Sequence, residues 1–297
     1  MRNTLKFFIL ILFILALFGS SVGYARDAVK NPARILSITP VATEILYSLG
    51  LGDRVVGVTR YCNWPPEARS KPVIGDMMNV SLEMLAALDP DLVLISNLNE
   101  HLNARIEAMG YNTVIVYQDN FEQICKSILA VGDACGVADA ADKKVKELSD
   151  AVRALSESAV SGPEARVLIV VGRDPADDKL KKLYVAGIES FYNDLIRESG
   201  AVNVVESNVP YLQISREGLL RLDPDIIIDL IGEHGSADIP TEQILGQWRA
   251  IPDLRAAIKG NVAIIKGDFS LRPGPRYPLL LKAFIRAIRE GAREITG

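Results

Sequence analysis

One stretch of this chain occurs twice. Ser215, Glu217, Leu219, Leu222, Asp223, Pro224 and Asp225 repeat the order and spacing of Ser81, Glu83, Leu85, Leu88, Asp89, Pro90 and Asp91, 134 positions earlier. In each copy a serine suits the cap of a helix, the leucine spacing gives that helix one apolar face, and Asp-Pro stops it. An apolar, β-branched run follows each time, Leu92–Ile95 and Ile226–Ile228, and such runs predict buried parallel strands. Two copies of helix-then-strand predict two similar α/β lobes. The space between them is the natural place for a ligand.

The flanking sequence fills in both lobes. Further strands are predicted at Arg34–Ile38, Val55–Val58 and Thr113–Tyr117, then at Arg166–Val171 and Val262–Ile265 in the second lobe. Residues 139–160 hold no Pro or Gly and alternate charges at helical spacing, so a helix of about 33 Å is expected there. It reads as a stiff connection between lobes at 26–138 and 161–297, or as an ordinary helix packed on the first. Gly172–Lys182 reads as an inserted polar loop, and Val209–Tyr211 matches Val55–Tyr61 in role, bringing a second Pro-flanked aromatic towards the groove.

The N-terminus sets the compartment. Arg2 and Lys6 flank the start of an apolar run, Phe7–Phe18, and the small-residue end Gly23–Ala25 has the form of a secretory signal cleaved after Ala25. The run is short for a membrane span, and no cysteine adjoins the junction for a lipid anchor. Residues 1–25 are therefore read as a signal peptide and the mature chain as periplasmic. A net charge of −4 argues against a nucleic-acid partner. Of three cysteines, Cys125 and Cys135 sit ten residues apart on one predicted helix, about 15 Å, too far for a bridge unless the helix breaks at Gly132.

Residue types suggest a site at the lobe boundary. Tyr61 and Tyr211 hold matching places in the two halves, with Trp64 and Met77 as walls and Tyr184 and Phe269 as further apolar area, unless they are simply core. Asp268 and Arg272 offer directional polar contacts, or pin their own loop. Arg276, with Arg60, Arg173 and Arg272, could converge on an anion. His101 and His234 occupy corresponding loops; one of them, or Cys62, is a weak candidate to reach a metal axially. Two histidines are too few for a free zinc site. No Gly-x-Gly-x-x-Gly follows the first strand, and neither a Walker loop nor a Gly-x-Ser-x-Gly elbow is present, so no enzyme is expected.

The ordered pattern of Thr39, Pro40, Thr43 and Glu44, then Tyr61 with Pro65–Ala68, then the first repeat, then Gly187 and Ser190 resembles the periplasmic binding proteins of ABC importers for metal chelates. The runs Val209, Pro210, Tyr211, Gln213, Ser215, Glu217 and Asp268, Phe269, Arg272, Pro275, Arg276 look most similar to the cobalamin-binding members, although Met77 stands where that pattern has an aromatic. The resemblance covers essentially the whole mature chain. It implies an α/β fold of two Rossmann-like lobes with central parallel sheets, joined by one long backbone helix and moving little on binding. It also implies a corrinoid in the cleft, no prosthetic group, and a permease dimer whose arginines pair with Glu83 and Glu217. First-turn carboxylates also suit a helix dipole without any partner. A ferric siderophore or haem is the alternative ligand; a ligand sensor or a chelatase-like enzyme is the alternative class.

Overall fold

The computed structural model describes residues 31–159, 164–173, 180, 182–232, 239–290 and 294–296. The expected signal peptide, residues 1–25, and His234 lie outside the described residues.

In the first lobe β1 (Ile35–Ser37), α1 (Pro40–Ser48), β2 (Val55–Val58), α2 (Leu82–Leu88), β3 (Leu92–Ser96), α3 (Glu100–Ala108), β4 (Asn112–Val116) and α4 (Phe121–Ala134) alternate along the chain. The four strands form a parallel sheet in the order β2-β1-β3-β4. Strands covered on both faces must be apolar throughout, and β3 is buried at every position.

Next comes α5 (Ala138–Ser158), within one or two residues of the span expected from sequence. Its charged faces stay in water while Ala141, Leu148 and Val152 are buried. The second lobe contains β5 (Arg166–Arg173), β6 (Lys182–Ala186), α6 (Phe191–Glu198), β7 (Val202–Asn203), β8 (Tyr211–Ser215), α7 (Arg216–Leu222) and β9 (Ile226–Ile231). It ends with α8 (Thr241–Arg249), α9 (Arg255–Ile258), β10 (Val262–Lys266), α10 (Tyr277–Glu290) and β11 (Glu294–Thr296). Helix α5 packs against α4 on one side and α10 on the other.

Here the sheet departs from the expectation of two parallel sheets. Its order is β11-β10-β9-β5-β6-β8, with β7 beside β5. Strands β11, β10, β9 and β5 run parallel, but β6 is antiparallel to both β5 and β8. The reason is connection length: the stretch read as a polar loop is too short for a crossover, so the chain can only return beside itself. Tyr211, expected as a Pro-flanked aromatic directed towards the groove, is the first residue of the edge strand β8.

The sequence repeat persists in atomic detail. Ser81 Oγ accepts from the Met84 N–H and Ser215 Oγ from the Gly218 N–H, both at 3.2 Å. Each helix stops on an aspartate in the left-handed region, Asp89 at φ 39° and Asp223 at φ 45°, a conformation that Asp tolerates better than most residues. The Arg34 and Arg166 backbone N–H groups donate to Asp91 and Asp225 at 2.9 and 3.1 Å, and their guanidinium groups reach the last-turn carbonyls of Leu88 and Leu222.

One apolar cluster runs through both lobes, from Ile35, Ile45 and Ile128 through Leu148 to Ile169, Ile228 and Phe284. Tyr277 holds it at the lobe boundary, its ring 4.7 Å from that of Phe121 and 5.4 Å from that of Phe191. Cys125 and Cys135 are unbridged thiols, as their spacing suggests.

Candidate ligand groove

The groove lies between the lobes, at the carboxyl ends of the strands, where open α/β sheets leave a crevice. Its first compartment, about 370 Å³, has Pro40, Tyr61 and Met77 on one side and Gly172, Ile231 and Arg272 on the other. A second, about 680 Å³, sets Gln118 and Asp119 against Asn208, Tyr211 and Pro273. A third, about 590 Å³ along the rim of the first lobe, is bordered by Met78 and His101. Met77 is common to the first and third compartments, and Leu98 to the second and third. The three are therefore parts of one band. Tyr61 and Tyr211 both face it, in different compartments.

The turn from Asp268 to Arg276 reaches from the second lobe into the first. Arg272 pairs with Asp268 at 2.6 Å and also donates to Asn63 Oδ1, while Asn63 Nδ2 donates to Asp268 at 2.5 Å. Four residues on, Arg276 grips Glu44 with two N–H donors at 2.9 and 2.5 Å, and its guanidinium lies 5.1 Å above the Trp64 ring. Glu44 is 3% exposed. Burial raises its carboxyl above the usual range, and the bonds and charge of Arg276 oppose that shift. Burial likewise lowers the Arg272 guanidinium against the pull of Asp268 and Glu44. The residues expected to touch ligand or pin a loop thus pin the two lobes together, with Arg272 and Asp268 also bordering the first compartment.

Arg173 is a different case. In the β5–β6 register it pairs with Leu183, whereas Gly172 pairs with Tyr184. Leu183 faces the cluster under α8, so the Arg173 side chain turns the same way. It is held by Asp229 at 2.9 Å and Gln247 at 2.6 Å, and Trp248 Nε1 donates to the same carboxylate. Arg60, at the end of β2, is exposed. Arg173 and Arg272 both border the first compartment, each already paired with a carboxylate, whereas Arg60 and Arg276 border none of the three, so the four arginines do not gather at one point.

Several expected site residues sit elsewhere. Phe269 belongs to the core at 4% exposure. The chain turns at Gly267, φ 119°, and the Phe269 ring lies against that glycine, where a Cβ would meet it at 3.1 Å. Trp64 is 44% exposed beneath Arg276 and borders none of the three compartments. Cys62 is buried with its Sγ 3.2 Å from Thr59 Oγ1, and burial pushes its thiol up. A protonated thiol is a poor metal ligand. His101 stands on the outer rim, and among the described residues no group of three or more His, Cys, Asp and Glu could hold a metal.

Tyr184 and Tyr211 are half exposed, at 50% and 48%. Burial, and then the charge of Asp119 opposite, push the Tyr211 phenol up to about 12. Sequence reading missed Glu44 and Asn63 as partners across the lobes, and Asp119 as the charge facing Tyr211. It also missed strand β8, for which the alternation of Leu212 and Ile214 with polar neighbours was an available signal.

The sequence matches the model of the family described as periplasmic binding protein over residues 35–268. The chain belongs to that family. This binding protein is 32% identical, over 83% of its length and 77% of the relative's, to an ABC transporter substrate-binding lipoprotein of Bacillus subtilis. It is 25% identical to a vitamin B12-binding protein of Photorhabdus laumondii over 93% of its own chain and 94% of the relative's. Among solved structures it is similar to a possible iron-binding periplasmic solute-binding protein of Staphylococcus epidermidis. That structure has a TM-score of 0.73 and 26% identity, over 88% of this chain and 100% of the other. The binding protein is thus a solute-binding component of an ABC transporter. Among the described residues no helix is long and apolar enough to cross a membrane.

Proposed function

We propose that this binding protein captures a corrinoid in the inter-lobe groove, in the periplasm, and delivers it to an ABC importer. The reading is carried by the charge pattern of the site: Arg173, Arg272 and Arg276 are each ion-paired with a carboxylate of the protein itself. An anionic siderophore or a haem with two propionates would need free cations there. A corrin is a broad apolar disc rimmed with neutral amides, and it needs flat aromatic area with a few hydrogen-bonding groups. Tyr61, Met77 and Tyr211 supply the first, with Tyr184 outside the three compartments but beside Gly172 at the edge of one, and Asp268 with Arg272 supply the second. The Photorhabdus relative, named for vitamin B12, supports the same ligand class.

Delivery requires a dock. Glu83 and Glu217, at the same place in the two copies of the repeat, are both exposed in first helical turns. A matched pair of carboxylates suits a partner built of two related subunits, and we assign them to basic residues of the permease. Calorimetry of the purified protein against cobalamin, cobinamide, haem and a ferric siderophore tests the ligand. Corrinoid binding with none of the other two is expected; haem or siderophore binding with no corrinoid uptake of heat overturns it.

A further inference from the structure

The antiparallel strands β6 and β8 of the second lobe give the groove an aromatic surface. Leu183 and Val185 of β6 and Leu212 and Ile214 of β8 all pack on the cluster beneath the sheet. Strand alternation therefore sends Tyr184, Tyr211 and Gln213 to the opposite face. The register is explicit: Gly172 lies opposite Tyr184, and Tyr184 opposite Gln213, making one row across three strands. Tyr211 is two residues from Gln213 on the same edge strand. Gly172 borders the first compartment and Tyr211 the second, so this row spans the join between them. The Tyr184 ring lies over Gly172, its Cδ2 at ordinary van der Waals distance, 3.7 Å, from where a Cβ would stand.

At the centre of that row, in contact range of two half-exposed tyrosines, is an exposed amide. An edge strand accommodates a polar side chain here, and its neighbour in the row is the aromatic Tyr184. We propose that Gln213 is a ligand-binding residue that reads a neutral carboxamide on the rim of the bound macrocycle. The inference rests on the corrinoid reading above and names the group recognised. A glutamine amide offers one acceptor and a donor NH₂, and a primary carboxamide offers the same two in return, so the pair closes reciprocally. A carboxylate offers acceptors alone. It would also meet Asp119 and Glu189, which border the compartment beside Tyr211. This end of the groove selects amide over acid by what it donates and by what it repels.

The test uses two corrins that differ at the rim: cobinamide, which carries carboxamides, and cobyrinic acid, which carries carboxylates at the same positions. Calorimetry on the purified protein should show cobinamide bound more tightly. Gln213→Leu should weaken cobinamide about five- to tenfold, the range of one or two hydrogen bonds, with cobyrinic acid changed less than twofold. Gln213→Arg should narrow or reverse the preference. Gln213 is exposed on an edge strand, so both variants should keep the parent's thermal midpoint. Unchanged affinity ratios in both variants overturn the role of Gln213 while leaving the corrinoid reading intact. Failure of the unsubstituted protein to bind either corrin overturns the corrinoid reading and this inference together.

Discussion

Arg276→Ala should destabilise this protein far more than a surface charge deletion, and by an amount that depends on pH. The substitution leaves Glu44, 3% exposed, without the two N–H donors that hold it. Breaking a buried pair by removing one partner costs about 3–5 kcal/mol. Because one core spans both lobes, unfolding is expected as a single transition, and that loss lowers its midpoint by roughly 6–12 °C. The carboxyl already titrates above its ordinary value through burial, and losing Arg276 removes the main opposing influence. The cost of a charged Glu44 is therefore present in full above its folded pKa. It disappears as pH falls through that value and the group becomes neutral, so the deficit measured by urea unfolding at pH 7.5 should shrink at pH 5. Glu44→Gln with Arg276→Met should recover most of the loss, since a neutral pair of similar volume carries no desolvation penalty. A deficit that is equal at both pH values, or a double variant no better than Arg276→Ala, would refute the reasoning.

Three other outcomes follow from the structure. Charge reversal of Glu83 and Glu217 together should abolish importer-coupled uptake while calorimetric affinity for ligand stays within twofold; normal uptake contradicts the dock. The Tyr211 phenol, raised to about 12, keeps its proton more tightly folded than unfolded. Its contribution to stability is full below pH 10 and lost as pH rises towards 12, and Tyr211→Phe should flatten that part of the stability profile. Phe269→Ala should cost about 3–5 kcal/mol as a core truncation, read as a lower urea midpoint, with ligand affinity of the folded fraction unchanged.

The repeat made most of the fold legible, because capping serines, leucine spacing and apolar runs are local features that tertiary context did not override. Helix α5 was legible for the same reason. What was not legible depended on partners far apart in sequence. Nothing near Glu44 announces Arg276, 232 positions away, and Asn63 looks like an ordinary turn residue until Asp268 and Arg272 meet it. Phe269 resembled a groove aromatic because its neighbours Asp268 and Arg272 border the groove, yet the turn at Gly267 sends its ring inward. The antiparallel pairing of β6 with β8 was missed because each strand shows a period-two pattern only five residues long and a helix separates them in sequence.

The shared apolar mass beneath both halves has a consequence for transport. Parting the two sides would open that interior to water, which opposes a wide swing when cargo is taken up. On the docking and ligand proposed above, the importer would read a full carrier by the cargo exposed along the open band, and release would follow from force applied at the two gripped ends.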